Sequence, residues 1–553
     1  MKNKNEAYGW LWKNSRGSRV FIILLTALSI TYSLLQLSFV GASKRVIDIA
    51  TGTLQGELVN ACITLGVLLL VQLTMQIGVN FMNVHASSRL EISLKRRVFA
   101  TLMQKQYLSV AKYHSGELLN RISSDVSVIV NGIIGIIPSG ALFITSIIGG
   151  FFYLWKIDSL LAVIILSVGP FVAIGARLYS SKYKVLHKKC QEADGDTKSF
   201  MLEILQNLLV VKSFCSEDAA LDCAETLQRR SYKLRVIRVL VSIVANVGMF
   251  IIFNAGYYFA LAYGAFRLSQ GVLTYGDITA ILQLVNKIQT PFKSVSSLVP
   301  QAFAVAASAE RLLEFERLPD ENNSGDALPA GVYADMREIV FDNVTFRYAE
   351  DSVVSGINMR LKKGNCVVIA GESGAGKSTA IKLLLGILQP QSGKIYINAG
   401  MKNYEVGRAT RSLFSYVPQG NLILSGSIRD NICFARPDAT EEQIIHAAKV
   451  AQIWDFIQTL DDGLDTKIGE KGLGLSEGQA QRISIARALL YDAPVLLLDE
   501  STSALDSATE AALLQAVRSM TDKTCIIVSH KKAAFEICDE VCYVTKQARR
   551  DNI

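Results

Sequence analysis

A glycine-rich run is the strongest chemical signal in the sequence: Gly371-Glu-Ser-Gly-Ala-Gly-Lys377-Ser378-Thr379. It fits the pattern G-x-x-x-x-G-K-[ST], follows a short apolar run and precedes a helical pattern, as a phosphate-binding loop requires. Glycines let backbone N–H groups surround phosphate oxygens at a helix N-terminus, and the lysine reaches the β- and γ-phosphates. We therefore predict a nucleoside triphosphate site formed by Gly371, Glu372, Ser373, Gly374, Ala375, Gly376, Lys377, Ser378 and Thr379.

A second apolar run ends in two carboxylates. Val495 to Leu498 has the composition of a strand buried on both faces, and Asp499 and Glu500 follow it directly. We expect Asp499 and the Ser378 hydroxyl to hold Mg²⁺, and Glu500 to act as general base toward the attacking water. Together the two motifs predict phosphoryl transfer from ATP.

The hydropathy of the chain indicates where this site is placed. The 553 residues are 50% hydrophobic and 19% charged, and long uncharged runs are confined to the first 310. A helix of about 20 residues crosses roughly 30 Å of hydrocarbon. We predict six membrane spans, of which the last is the weakest because Lys287 and Lys293 interrupt it: 20–43, 58–86, 126–155, 157–177, 239–266 and 278–301.

Basic residues predict the orientation of these spans. The N-terminal tail and the connections 89–125 and 177–238 carry 24 Lys and Arg residues, against four in the other connections. Because such residues concentrate on the cytoplasmic side, we expect a multi-pass protein of the cell membrane with a cytoplasmic N-terminus and ATP site. The net charge of +8 is then explained by contact with membrane lipid, and no nucleic acid partner is expected.

Composition divides the chain into a membrane domain (1–315), a linker rich in turn residues (316–336) and a soluble domain (337–553). In the soluble domain, β-rich runs alternate with helical patterns, which predicts a largely parallel α/β sheet: Cys366–Ile369, Lys394–Ile397, Val495–Leu498 and Cys525–Val528. The nine cysteines lack metal-binding spacing, and we expect neither disulfides nor a structural metal. The two long cytoplasmic connections predict helical extensions, with a chain reversal at Ser115-Gly116.

With these motifs the chain resembles the ABC transporter family, in particular exporters that fuse six membrane helices to one nucleotide-binding domain. Leu475-Ser476-Glu477-Gly478-Gln479 is similar to the family signature Leu-Ser-Gly-Gly-Gln, and it lies between the two phosphate-site motifs. Tyr348, Gln419, Asp506 and His530 follow the family's order around them. The resemblance implies a membrane α-helical bundle of six transmembrane helices with cytoplasmic extensions, joined to an α/β P-loop ATPase domain.

The resemblance also implies roles for single residues. Tyr348 would stack on adenine, Gln419 would join the Mg²⁺ shell, and His530 would contact the γ-phosphate. Glu470 is similar to an acidic element that touches a connection of the membrane domain.

A shared ATP site is implied as well. The ATP held by Lys377 of one subunit would be completed by a second, identical half-transporter through Ser476, Gly478, Gln479 and Asp506. The functional unit would then be a dimer, because one chain carries one set of these parts.

Three features depart from the family pattern. Glu477 replaces the usual glycine and brings a carboxylate near a phosphate site. The chain ends soon after His530, with 538–545 as its last expected strand. Only 19 residues precede the first span, so we expect neither a cleaved signal nor the peptidase domain of peptide-processing relatives.

The implied function is ATP-driven export across the cytoplasmic membrane by alternating access. The sequence leaves the cargo open among small molecules, lipids and peptides. The alternative is a membrane-anchored ATPase that regulates or signals without transport, whereas the spans exclude a soluble P-loop kinase. Lys287 either faces a cavity or extends to the membrane surface.

Overall fold

The chain before the first strand is helical in the computed structural model, which describes residues 2–113, 115–321, 328–329, 331–348, 351–400, 402–420, 423–469 and 474–544. The helices of this part are α1 (Lys2–Asn14), α2 (Arg19–Ala50), α3 (Leu58–Met103), α4 (Tyr107–Ala111), α5 (Ser115–Asn120), α6 (Val126–Ile157), α7 (Ser159–Gln206), α8 (Leu208–Ser213), α9 (Glu217–Ser269), α10 (Tyr275–Arg317) and α11 (Val332–Asp335).

The rest of the chain alternates strands and helices. Its elements are β1 (Met336–Tyr348), β2 (Asp351–Lys362), β3 (Cys366–Ala370), α12 (Lys377–Leu384), β4 (Ser392–Ala399), β5 (Lys402–Glu405), β6 (Phe414–Val417), β7 (Gly426–Ser427), α13 (Ile428–Ile432), α14 (Glu441–Val450), α15 (Trp454–Gln458), β8 (Lys467–Ile468), α16 (Glu477–Tyr491), β9 (Val495–Asp499), α17 (Ser507–Arg518), β10 (Thr524–Val528), α18 (Lys532–Ile537) and β11 (Glu540–Tyr543).

The chain divides into two compact units. The first comprises Met1–Met103 and His114–Arg317, and the second Gln104–Tyr113 and Leu318–Ile553. Gln104–Tyr113 lies within residues 1–315, which the composition assigns to the membrane domain. In the structure this segment, which contains α4, packs with the soluble unit instead.

The first unit is a bundle of long apolar helices. Four helical stretches of the described chain are long and apolar enough to cross a membrane: Arg16–Ala50, Leu58–Met103, Ser115–Ile157 and Glu217–Ser269. The other two predicted spans, 157–177 and 278–301, fall mainly in α7 and within α10. The expected helical extensions are present, because α3, α7 and α9 continue as single helices well beyond their apolar segments.

A buried ion pair ties α10 to the start of α6. The Asp125 carboxylate is almost wholly buried and accepts hydrogen bonds from the Ser308 hydroxyl at 2.9 Å and from Arg311 Nε at 2.8 Å. A buried carboxylate is tolerated when it is paired and hydrogen-bonded in this way. This contact fixes the relative position of the two helices along their length.

The second unit is built around a parallel sheet. In the described chain its five strands run in the order β11-β3-β10-β9-β6, with Val368 paired to Ile527 of β10 and Leu498 of β9 paired to the same residue. Alternate residues of β3 enter two different cores, Val368 on one face and Val367 on the other. Because both faces are covered, these strands are uninterrupted apolar runs, as predicted.

The strand predicted at Lys394–Ile397 is present, but it lies outside the parallel sheet. These residues belong to β4, which pairs antiparallel with β1 in a separate sheet of order β2-β1-β4-β5. Ile395 and Ile397 are buried while Lys394 is exposed, so only one face of β4 meets a core. A strand covered on one face alternates in polarity, which is typical of antiparallel sheets.

Gln104–Tyr113 is held in the second unit by backbone and charge contacts. Gln106 N donates to the Pro319 carbonyl at 3.0 Å, and Lys105 Nζ lies 2.7 Å from Asp320 Oδ1. Leu108 packs against the core that also contains Val367. The predicted reversal at Ser115-Gly116 was wrong in detail, since Ser115 already begins α5 and α4 ends at Ala111.

Candidate functional site

The glycine-rich loop joins the end of β3 to the start of α12. Gly374 and Gly376 have φ of +79° and +94°, a region that favours glycine. A Cβ at Gly376 would lie 2.7 Å from the Val353 carbonyl oxygen, so a larger residue has no room there. Lys377 is buried, and its Nζ donates to the carbonyl oxygens of Gly371 and Glu372 at 2.9 Å each. The loop therefore holds an ammonium group at the N-terminus of a helix, which is an environment suited to phosphate.

Ser378 brings this loop into contact with the end of β9. Its hydroxyl donates to Asp499 Oδ1 at 2.9 Å, and the Tyr416 hydroxyl donates to Asp499 Oδ2 at 3.3 Å. Burial raises the pKa of Asp499, which the hydrogen bonds from Ser378 and Tyr416 oppose. The two residues predicted from distant motifs to hold Mg²⁺ are thus adjacent in the folded chain.

Glu500 is the centre of a second group of contacts. Gln419 Nε2 donates to Glu500 Oε2 at 2.6 Å, and His530 Nε2 lies 3.3 Å from Glu500 Oε1. Glu500 has a φ of +47°, which is uncommon for a residue with a side chain, and its N–H donates to the Val528 carbonyl at 3.0 Å. Strain of this kind is found where a side chain must be aimed at a functional position. Two candidate residues from other motifs, Gln419 and His530, therefore meet at the Glu500 carboxylate.

The side chains at this sheet edge fit a magnesium nucleotide. A hydroxyl, a carboxylate and an amide, from Ser378, Asp499 and Gln419, offer the oxygen ligands that Mg²⁺ prefers. The Gln419 amide uses its nitrogen toward Glu500, which leaves its oxygen for a metal. When bound, Mg²⁺ would neutralise phosphate charge.

The signature residues form the N-terminal cap of α16. Ser476 Oγ accepts from Gln479 N at 3.3 Å, and Ser476 N donates to Gln479 Oε1 at 2.8 Å, which makes a capping box. A Cβ at Gly478 would lie 2.8 Å from the Ala504 carbonyl oxygen, so glycine allows α16 to approach this segment closely. Glu477, the departure from the family pattern, is exposed in the first turn.

In the described chain, the other predicted site residues do not contact the cluster around Asp499 and Glu500. The Tyr348 ring, at the end of β1, contacts the Phe346 ring edge-to-face with centroids 4.9 Å apart, and adenine stacking stays a prediction. Asp506 caps α17 by accepting from Thr509 N at 2.9 Å, which lowers its pKa. Glu470 lies outside the described residues.

Sequence reasoning missed two supports of the site. Tyr416 lies three residues before Gln419, and nothing in its local sequence indicates that its hydroxyl reaches Asp499. Burial raises the pKa of Tyr416, as does the nearby Asp499 charge, so its proton stays on as a donor. The second support is Glu510, a buried carboxylate on α17 that accepts from the Thr502 hydroxyl at 2.7 Å and lies 3.1 Å from Lys531 Nζ.

Glu510 has an indirect signal in the sequence. It lies one helical turn after Asp506, whose capping role places Glu510 on the first turns of α17. Lys531 follows His530 directly and also donates to the Thr502 carbonyl at 2.8 Å. The pair therefore braces the segment after Glu500 against the segment that carries His530.

Comparisons with known proteins agree with this architecture. The family model described as ABC transporter transmembrane region matches residues 20–292, and the family model described as ABC transporter matches residues 354–503. An ATP-dependent lipid A-core flippase of Escherichia coli K12 is 29% identical over 467 residues, which are 83% of this chain and 79% of the flippase.

Two further relatives extend the comparison. ABC transporter B family member 1 of Dictyostelium discoideum is 31% identical over 453 residues, 81% of this chain, and the match spans 49% of that relative, about half its length. A bacterial Atm1-family ABC exporter, solved with ATP bound, shares the fold at a TM-score of 0.79 and 24% identity, with 96% of this chain and 93% of that chain covered. With its transmembrane region and its ATPase domain fused in one polypeptide, the chain belongs to the ABC transporter family.

Proposed function

We propose that this chain is half of an ATP-driven exporter, in which two identical copies use ATP to move a small molecule, a lipid or a peptide across the cytoplasmic membrane. The N-terminus and the ATPase domain face the cytoplasm. The observation that supports this most directly is the meeting of Ser378, Asp499, Gln419, Glu500 and His530 at one sheet edge, in a chain whose other half is a bundle of apolar helices.

The site residues divide the work of hydrolysis. Lys377 and the loop N–H groups bind the β- and γ-phosphates, and Ser378, Asp499 and Gln419 hold Mg²⁺. Glu500 takes a proton from the attacking water, and His530, which lies beside the Glu500 carboxylate, contacts the γ-phosphate. Tyr348 stacks on adenine.

Each ATP is completed by the other copy. Helix α16 begins with a capped turn whose N–H groups and positive dipole end suit an anion. Ser476, Gly478, Gln479 and Asp506 of one copy serve the ATP held by Lys377 of the other. In each copy Gly478 packs closely against Ala504, so the N-terminus of α16 lies next to the segment that leads to Asp506.

Gln104–Tyr113 can transmit a conformational change from the ATPase unit to the membrane helices. The segment belongs to the second unit, yet the chain continues from it into α3 on one side and α5 on the other. A change around Asp320 or the core at Leu108 would therefore act on both helices through covalent bonds. Export is favoured over a signalling role because this connection would serve no purpose in a simple anchor.

Transport by inverted membrane vesicles tests the proposal. Vesicles that carry the wild-type chain or the variant Glu500→Gln would be given ATP outside and a panel of radiolabelled amphiphiles, peptides and organic anions. ATP-dependent uptake of at least one class by the wild type, and its loss in the variant, is expected. Wild-type ATP hydrolysis without uptake of any class, and without stimulation by any of them, would favour the signalling alternative.

A further inference from the structure

Helix α10 has two chemically different faces within the predicted sixth span. One face is wholly buried and apolar, formed by Ile281, Leu284, Val285 and Ile288. The side chains between them are polar and partly or fully exposed: Gln283, Asn286, Lys287 and Thr290. Residues three and four apart share a helix face, so these four form one continuous polar stripe. A polar stripe at this depth faces water or a ligand rather than lipid tails.

Lys287 lies too deep for its charge to reach the membrane surface. It is nine residues from the start of the span at 278 and 14 residues from its end at 301. At 1.5 Å per residue these separations are about 13 Å and about 21 Å. The four-carbon side chain of lysine is much shorter than either distance, which argues against extension to the interface. The cavity alternative left open by the sequence is therefore the better one.

The contacts of Lys287 leave its charge unbalanced. Its Nζ donates to the Oε1 atom of Gln36 on α2, which is a neutral acceptor. No carboxylate pairs with Lys287 within the described chain, where its hydrogen-bond partner is Gln36. Asp158, at the start of the span 157–177, is the one Asp or Glu in the six predicted spans, and it pairs with Arg267. A second amide lies one turn away, where Gln283 Nε2 donates to Ser43 Oγ of α2 at 3.3 Å. The stripe thus offers a cation and amide donors without any counter-anion.

We propose that Lys287 and Gln36 form a subsite for an oxyanion, a phosphate or carboxylate group carried by the exported molecule. The inference rests on the proposed function and narrows its cargo to anionic molecules. An oxyanion pairs with the ammonium through a charge-assisted hydrogen bond and accepts further bonds from the amides. A cationic cargo would be repelled, and a neutral one would leave the ammonium without a counter-charge.

Direct binding to the purified full-length protein tests this subsite without requiring transport. The probes are radiolabelled dodecyl phosphate, its water-soluble analogue phenyl phosphate, and dodecyltrimethylammonium as the matched cation, measured by equilibrium dialysis in maltoside micelles. The variants are Lys287→Gln, Lys287→Arg and, as a matched control on the same helix, Lys293→Gln. The Lys293 ammonium lies near the Phe253 ring, 4.8 Å from its centroid. Lys293 follows Lys287 by six residues, which places it about 9 Å along the helix and about 120° around it from Lys287.

We expect Lys287→Gln to weaken dodecyl phosphate binding about tenfold or more, because a charged hydrogen bond is lost. Lys287→Arg should restore binding to within about threefold of the wild type, and Lys293→Gln should bind as the wild type does. If phenyl phosphate binding also depends on Lys287, the cargo is water-soluble. If only dodecyl phosphate binding depends on Lys287, the cargo is amphiphilic. Both outcomes support an oxyanion subsite.

Three results would overturn the inference. They are equal binding by wild type and Lys287→Gln, equal affinity for dodecyl phosphate and dodecyltrimethylammonium, and loss of binding in Lys287→Arg to the same degree as in Lys287→Gln. Thermal unfolding of each variant identifies a fold defect, and rescue by arginine remains the test in that case. If vesicles show Lys287-dependent binding but no uptake, export is refuted and the subsite is retained. If they show uptake without Lys287-dependent binding, export is retained and the subsite is refuted.

Discussion

Replacing Glu500 with glutamine separates ATP binding from hydrolysis. Both oxygens of the Glu500 carboxylate are engaged, one by Gln419 at 2.6 Å and one by His530 at 3.3 Å. Glutamine keeps the shape and one acceptor oxygen but cannot take a proton from water. General base catalysis contributes about 10²- to 10⁴-fold, which corresponds to about 2.7–5.4 kcal/mol of barrier. We expect turnover to fall by that factor while the affinity for ATP changes by less than about threefold.

The assay is phosphate release by the purified variant in lipid nanodiscs, with ATP affinity measured by calorimetry. Glu442→Gln, which makes the same change on the exposed surface of α14, is the matched control and should hydrolyse ATP as the wild type does. Steady-state turnover of Glu500→Gln within about threefold of the wild type would remove Glu500 from the base role. Loss of ATP affinity instead of turnover would show that the carboxylate acts mainly in binding.

Three further changes probe the same site. Lys377→Ala should weaken ATP binding about ten- to a hundredfold by calorimetry, because it deletes a charged donor to phosphate, and unchanged affinity would contradict the assignment. Tyr416→Phe should raise the Mg²⁺ concentration for half-maximal ATPase about fivefold at nearly constant maximal rate, because Asp499 loses an orienting hydrogen bond; a changed maximal rate with the same Mg²⁺ dependence would reject this positioning role. Glu477→Gly should lower the KM for ATP, because it removes a carboxylate near phosphate. An unchanged KM would show that the departure is neutral, and a higher KM would show that Glu477 assists ATP binding; either result contradicts the prediction.

Much of the site follows from local sequence. The loop before Lys377 and the acidic end of β9 are each one uninterrupted segment. Phosphate binding requires glycines in the first, and metal binding and catalysis require carboxylates in the second. Strands such as Val495–Leu498 are recognisable because a parallel strand covered on both faces is apolar throughout. The position of the site at one sheet edge then follows, because β3, β9 and β10 are parallel neighbours that end at the same edge.

The remaining features depend on contacts between distant parts of the chain. The Tyr416 hydroxyl reaches Asp499 only because β6 pairs with β9, a pairing that no local pattern specifies. Similarly, Gln104–Tyr113 joins the ATPase unit through bonds to Pro319 and Asp320, more than 200 residues away. Lys287 was visible in the sequence, but its partner Gln36 lies on another helix.

The central claim, an ATP site shared between two copies, is tested most directly by mixing two inactive chains. Lys377→Ala removes one half of the site and Ser476→Arg fills the other half with a bulky side chain. A mixed dimer then contains one interface with both intact halves and one with both lesions. The account predicts that purified, tag-verified mixed dimers recover up to half of the wild-type ATPase activity, while each parent dimer has almost none. Full activity of monomeric Ser476→Arg, or mixed dimers no more active than their parents, would contradict it.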